Sequence, residues 1–166
     1  SLGDIYVMYG QIGQIEKVRP YVDGAIKAWK KKYPKPSEED KKILAKIALA
    51  PLNANDLAGA VDVLKAYHEA EPDNLGVIAT IGNVYYEMEE EQDAIEWYSK
   101  YLAKATPETQ GQDYWNILVD QASMYLHLSD GKADDANYGE ALSRLLRATK
   151  EVPKHWAAWF NLGEVY

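Results

Sequence analysis

The chain has 166 residues, 47% of them apolar and 27% charged, with no cysteine and a formal net charge of −8. That suffices for one globular domain with its own core, and it excludes a disulfide framework, a thiolate metal site and a disordered polypeptide. The acidic balance argues against a general nucleic-acid binder, and no stretch approaches the roughly 18 apolar residues of a membrane span.

The segment Ser1-Leu-Gly-Asp-Ile-Tyr6 matches Asn161-Leu-Gly-Glu-Val-Tyr166 at the far end. The chain is therefore expected to begin and end inside equivalent helices, as a fragment of a longer array would. No basic stretch precedes an apolar run at the start, so a signal peptide is expected to be absent or already removed, and the compartment stays open. Gly10-x-x-Gly13 reads as a turn. A helix follows with Pro20 in its first turn, where the missing N–H does no harm, and runs through Trp29 to about Tyr33. Lys30, Lys31 and Lys32 suit the negative end of that helix dipole. The break Pro34-Lys-Pro36 ends it, and Ser37 with Asp40 three residues on fits a new helix start.

From there apolar residues recur at helical spacing. Leu44, Ile47 and Ala48 form one face, and Ala60, Leu64 and Tyr67, at offsets of four and seven, form the next before Pro72. Ile78, Ile81, Gly82 and Tyr85 repeat the first face, and Ala94, Tyr98 and Tyr101 repeat the second before Pro107. Between these two lies an acidic turn of Glu87, Glu89, Glu90, Glu91, Asp93 and Glu96, read as a solvated helix start or as a docking patch for a basic partner. Ala122 and Tyr125 mark another first face. Ala141, Leu145 and Ala148 mark its partner before Pro153, with Ala141 seven residues late. The segment 129–137 fills that gap, as a longer loop or as an extended helix with its turn. Trp159, Leu162, Gly163 and Tyr166 begin the motif once more. Gly82, Gly163 and Ala48 are small enough to let a partner helix approach closely.

The run Trp159-x2-Leu162-Gly163-x2-Tyr166 resembles the first-helix signature of the tetratricopeptide repeat (TPR), and the segments around Ala48 and Gly82 resemble the same motif at the family's 34-residue period. The resemblance implies an all-α fold, a right-handed TPR-type α-solenoid of antiparallel helix pairs. It implies a single solenoid fragment over 1–166: a partial repeat at 1–36, repeats at 41–74, 75–108 and 112–155, and a half repeat at 156–166. The concave face of such a solenoid is lined by first helices. Carried onto this sequence, its partner-binding residues are Asn83, Tyr86, Glu87, Asn116, Asp120, Ser123 and His127, with Lys42, Lys46, Val119, Phe160 and Asn161 on equivalent offsets. The family's carboxylate clamp needs Lys, Arg and Asn, and Asp120 stands against that pattern. The groove suits an extended or helical peptide with apolar anchors and a positive charge.

Chemistry is sparse elsewhere. His68, His127 and His155 have no partner at metal-ligand spacing, and Asp130–Asp135 lacks the calcium-loop pattern of acids and glycine. There is no phosphate-binding glycine loop and no nucleophile elbow. No catalytic residue, cofactor or metal is expected. The expected function is a non-enzymatic scaffold or adaptor for a protein or peptide partner, without nucleic acid or membrane insertion. Two alternatives are a structural array that self-associates through its open terminal half-repeats, and the regulatory TPR part of a larger enzyme. The motif alignment makes one prediction. Gly82→Leu overpacks a helix contact and costs roughly 1–3 kcal/mol, against a propensity gain of up to about 1 kcal/mol. A higher urea midpoint for the variant would refute the alignment.

Overall fold

The computed structural model describes residues 2–129, 132 and 135–165. Tyr166, the last signature position, and most of the 130–134 insertion lie outside them. The described residues form helices and connecting turns, without strands: α1 (Leu2–Gln11), a short 3-10 turn (Ile15–Lys17), α2 (Arg19–Lys32), α3 (Glu38–Asn53), α4 (Leu57–Ala70), α5 (Leu75–Glu87), α6 (Glu91–Lys104), α7 (Pro107–Gln110), α8 (Gln112–Leu128), α9 (Ala136–Glu151) and α10 (Trp156–Val165). None of these helices is long and apolar enough to cross a membrane.

The starts follow from capping chemistry. Ser37 Oγ accepts from the Asp40 N–H at 3.3 Å and the Asp40 carboxylate accepts from the Ser37 N–H at 2.9 Å, a reciprocal box that opens α3. Those bonds hold the Asp40 carboxyl below the usual range, Ser37 being the main cause. Asp56, Asn74, Thr106 and Asp135 cap α4, α5, α7 and α9 with side-chain oxygens. Pro107 opens the one-turn α7 as well as following α6, and Gly111 at φ 54° turns the chain from α7 into α8. The α3–α4 and α5–α6 turns repeat a left-handed residue 34 positions apart, Asn55 at φ 57° and Glu89 at φ 60°. Asn tolerates that conformation better than Glu.

The chain divides into two compact units, Ser1–Glu89 and Glu90–Tyr166. In the first, α3 and α4 fold back on each other through a three-residue turn, α1 packs on α3, α2 packs on α3 and α4, and α5 packs on α4. The phased residues fill its core: Leu44, Ala48, Ala60, Leu64, Ile78, Ile81 and Tyr85 are buried. Trp29 is buried too and donates its indole N–H to the Asp40 carbonyl at 2.8 Å. Gly10 differs from its sequence reading. It lies inside α1, and a Cβ there would come within 2.6 Å of the Ala54 carbonyl oxygen, so its role is a close helix-to-turn approach. Gly13, at φ 67°, is the turn residue.

Asp56 ties this unit together. It is 3% exposed. Its carboxylate accepts from the Gly59 N–H of α4 at 3.0 Å, from the Tyr6 hydroxyl of α1 at 2.7 Å, and from both Nε and Nη2 of Arg19 of α2. Burial pushes the Asp56 pKa up, but the hydrogen bonds from Arg19, Tyr6 and Gly59 outweigh it and the carboxyl titrates below its ordinary value. Tyr6 is shifted the other way, above the ordinary phenol range, by burial and then by Asp56.

In the second unit α8 and α9 fold back on each other, α6 and α7 pack on α8, and α10 packs on both α8 and α9. Ala94, Tyr98, Ala122, Ala141, Leu145 and Ala148 are buried. Here the buried polar residue is neutral. Gln121 is fully buried, donates to the Ile95 carbonyl at 3.0 Å and the Ser99 hydroxyl at 2.8 Å of α6, and accepts from Arg144 Nε of α9 at 2.8 Å. Lys100 Nζ sits 3.9 Å from the centre of the buried Trp97 ring. α8 ends six residues after Ala122, and α5 ends five after Gly82, so the delay of Ala141 falls after α8 rather than within a lengthened helix. The expectation for α10 is only half met. Leu162 is buried, but Trp159 is 52% exposed and no atom comes within 4 Å of a Cβ built on Gly163. The reason is that α10 packs through its other side, on α8 and α9.

Removing the Asp56 carboxylate strips the α4 cap and leaves a buried phenol unsatisfied. Asp56→Ala should cost about 2–4 kcal/mol, the sum of a lost cap and an unmet hydroxyl. The Arg19 side chain is 39% exposed but its partner carboxylate is 1% exposed, so Arg19→Ala leaves a buried charge short of its cation and should cost about 1–3 kcal/mol. Because the folded pKa of Asp56 is depressed, its contribution is complete above its unfolded pKa of about 3.9 and is lost as the pH falls through the lower folded value. Urea melts between pH 2 and 7 check this: the gap between parent and Asp56→Asn should narrow at the acid end.

Candidate functional site

The seven groove residues proposed from sequence fall on two helices, one in each unit. On α5, Asn83, Tyr86 and Glu87 share one face and are all exposed, while Ile78, Ile81, Gly82 and Tyr85 point into the core. On α8, Asn116, Asp120, Ser123 and His127 are spaced four, three and four apart and so form one stripe. Asn116, Asp120 and His127 are exposed and Ser123 is half-buried. Val119, placed on the groove by the same offsets, is instead a core residue.

The α8 stripe is held from both sides. His155, buried at the start of α10, accepts from the Ala158 N–H through Nδ1 at 3.3 Å. That assigns the ring proton to Nε2, which lies 3.2 Å from Asn116 Oδ1 and donates to it. Gln112 Nε2 donates to the same oxygen at 3.1 Å. Both acceptor sites of the Asn116 amide are thus engaged, which leaves its NH2 as the donor end. At the other end of the stripe, His127 Nδ1 pairs with Glu91 Oε1 of α6 at 3.0 Å. Between them, Asp120 keeps accessible surface, yet the surrounding protein desolvates its carboxyl and raises its pKa, with His155 opposing the shift. The result is an amide donor, a carboxylate, a hydroxyl and an imidazole–carboxylate pair along about three helical turns. Nothing here is aligned as nucleophile and base, and among the described residues no group of three or more His, Asp or Glu could hold a metal ion.

His155 is the residue supporting this stripe that sequence reasoning passed over. Its only signal was its place just after Pro153, at the cap position of a helix; its bond to Asn116 spans 39 residues.

No protein-family model matches the sequence, and no curated protein matches it. Solved structures do. The crystal structure of MamA shares 18% identity over 93% of this chain and 82% of that one, with a TM-score of 0.60. A Podosopora anserina putative kinesin light chain with nearly identical TPR-like repeats shares 14% identity over 99% of this chain and 83% of that one, with a TM-score of 0.63. The first TPR of Spaghetti (RPAP3), bound to the HSP90 peptide SRMEEVD, shares 13% identity over 78% of this chain and 92% of that one, with a TM-score of 0.59. These likenesses establish the fold, an all-α TPR-type solenoid.

The His155 bonds generate a local prediction. His155→Ala removes the side-chain cap of α10 and a support of Asn116, at a cost of about 1 kcal/mol. Amide exchange should accelerate in α10 and leave α3 and α4 unchanged.

Proposed function

We propose that this TPR-fold chain is a non-enzymatic interaction scaffold that takes a peptide or protein segment on the exposed face of a first helix, α8 in the second unit, with the exposed face of α5 in the first unit as a separate contact surface. The α8 stripe carries the reading. It presents fixed polar groups on a face that the core does not use, and His155 and Glu91 hold two of them in place. Asn116 can donate to an extended backbone, and Asp120 can meet a cation. Tyr86, 44% exposed on α5, is an aromatic anchor of the kind that dominates contact energies.

The solved TPR that holds SRMEEVD shows that this fold can carry a peptide, and that peptide is acidic. Asp120 and Glu91 give the α8 stripe the opposite preference, so the segment we assign is neutral or basic, with apolar anchors. A second reading has its own observation. Trp156, Trp159 and Phe160 are 77%, 52% and 62% exposed on α10, an apolar face suited to association with another copy. Sedimentation over a range of protein and salt concentrations tests it, and a strict monomer throughout removes it.

Ten-residue peptides of stated charge, followed by fluorescence anisotropy, test the main reading. Lysine-bearing peptides should bind and acidic ones should not. Asn116→Ala with Asp120→Ala should weaken binding of peptides held on α8, and Asn83→Ala with Tyr86→Ala that of peptides held on α5, each by more than about 1 kcal/mol with the helix content unchanged, and deletion within 129–137 should matter less. The reverse ranking would move the site to the insertion. Since the Asp120 pKa is raised, its attraction for a cation is present above that value and fades as the pH drops through it, at higher pH than for an ordinary carboxyl. Asp120→Asn should flatten that part of the pH profile; an unchanged profile would take Asp120 out of the site.

A further inference from the structure

The opposite side of α8 carries a different chemistry. Residues two apart on a helix lie on nearly opposite faces, so Leu118 and Gln121 point away from the Asn116–Asp120 stripe. There α6 and α9 wall a trough of about 390 Å³ with α8 as its floor. None of the residues lining it is acidic, although residues 90–166 hold 13 Asp and Glu against 7 Lys and Arg. One wall supplies Ser143, Arg144 and Arg147 from α9, the other supplies Ser99 from α6, and Tyr114 and Gln121 lie on the floor.

The two guanidiniums are held in different ways. Arg144 donates Nε to Gln121 at 2.8 Å and Nη1 to Glu140, and its plane lies 4.8 Å from the centre of the Tyr125 ring, so its direction is set and its Nη2 edge remains. Arg147 stacks 5.3 Å from the Tyr114 ring and 5.5 Å from the Trp115 ring. Among the described residues its N–H groups have no hydrogen-bond or ion-pair partner within the chain. Glu108 and Glu151 line an adjoining recess that shares Tyr114 and Arg147 with the trough; the Glu108 carboxyl is lowered mainly by hydrogen bonds at its own helix start and only lastly by the charge of Arg147, without an ion pair. A guanidinium held beside two aromatic rings, with its fork unspent, is placed to receive a planar or tetrahedral oxyanion.

We propose that this trough is a binding site for a phosphorylated serine or threonine side chain of a partner protein. A phosphate monoester is a dianion with three acceptor oxygens, enough for the Arg147 fork, the free edge of Arg144 and a serine hydroxyl at once. A carboxylate satisfies the Arg147 fork and leaves the Nη2 edge of Arg144, whose charge Glu140 already meets, without an acceptor. Leu102, Ala103 and Leu118 in the same trough give apolar room for the residues beside the phosphate. A polyphosphate chain or an anionic membrane would bring many charges against a chain of net −8, whereas one phosphate in a peptide meets only the local cations. The trough lies on the side of α8 away from the Asn116–Asp120 stripe and does not depend on that stripe.

The test uses the full ¹⁵N-labelled chain, with the arginine Nε–Hε signals as readout. The probes are inorganic phosphate, a seven-residue phosphoserine peptide, its unphosphorylated and glutamate-substituted forms, and a short oligonucleotide. Saturable shifts of the Arg144 and Arg147 signals are expected with phosphate and the phosphopeptide. The phosphopeptide should bind at least about fivefold more tightly than the glutamate form, a gap of about 1 kcal/mol. Arg147→Gln, and separately Ser143→Glu, should each weaken it at least fivefold by the same scale, while Lys154→Gln on the same unit should not. Both substituted positions are exposed, and circular dichroism checks the fold of each variant. No saturable shift, equal binding of the glutamate peptide, equal loss in Lys154→Gln, or a preference for the oligonucleotide would each overturn the proposal.

Discussion

One buried carboxylate organises the first unit. A helix that begins inside a protein must satisfy its first N–H groups without water, and α4 does so with Asp56. That charge would be costly alone. Tyr6 and Arg19 complete its shell, so meeting a local requirement of α4 also fixes where α1 and α2 rest. The equivalent cap 34 positions later, Glu90, makes no side-chain cap bond. Repetition of the motif therefore does not mean repetition of the anchoring. In the second unit the role passes to Gln121, which joins α6, α8 and α9 without net charge. One unit is tied by an ion and the other by an amide, and acid loosens the first tie only.

The helices were legible because their signals are local. The Ala60/Leu64, Ala94/Tyr98 and Ala141/Leu145 pairs lie within one helical turn, Ser37 and Asp40 lie within one cap, and a proline follows each second helix. The 34-residue recurrence then converted separate helices into an architecture. What stayed hidden depends on residues far apart in sequence. Tyr6 and Asp56 are 50 positions apart, so neither looks exceptional alone. Gly10 looked like a turn glycine because its neighbour, the Ala54 backbone, cannot be inferred from the residues around it. Trp159 and Gly163 carry the signature letters, but letters record what a helix can receive and not what packs against it.

The proposed recognition surface divides in the same way. Helical offsets from Ala122 put Asn116, Asp120, Ser123 and His127 on one stripe of α8, because spacing alone decides that. The same offsets misplaced Val119, whose environment is set by neighbouring helices. Which end of the Asn116 amide is left to donate, and why the Asp120 carboxyl is hard to ionise, are decided by His155 and by local desolvation. The arginine trough was invisible for a related reason. Arg144 and Arg147 are ordinary residues of an amphipathic helix until Gln121, Tyr114 and Trp115 orient them.

The placement of the indoles has an optical consequence. Trp29 is the only tryptophan in residues 1–89, and it is buried with its N–H bonded to a carbonyl. The other four lie between residues 97 and 159, where Trp156 and Trp159 already emit from a largely aqueous setting. Whole-chain emission is thus weighted toward the second unit and blunted by its solvated pair. A chain that keeps Trp29 alone would report the first unit by itself, so loss of its blue-shifted band would follow the opening of the helices that Asp56 holds together.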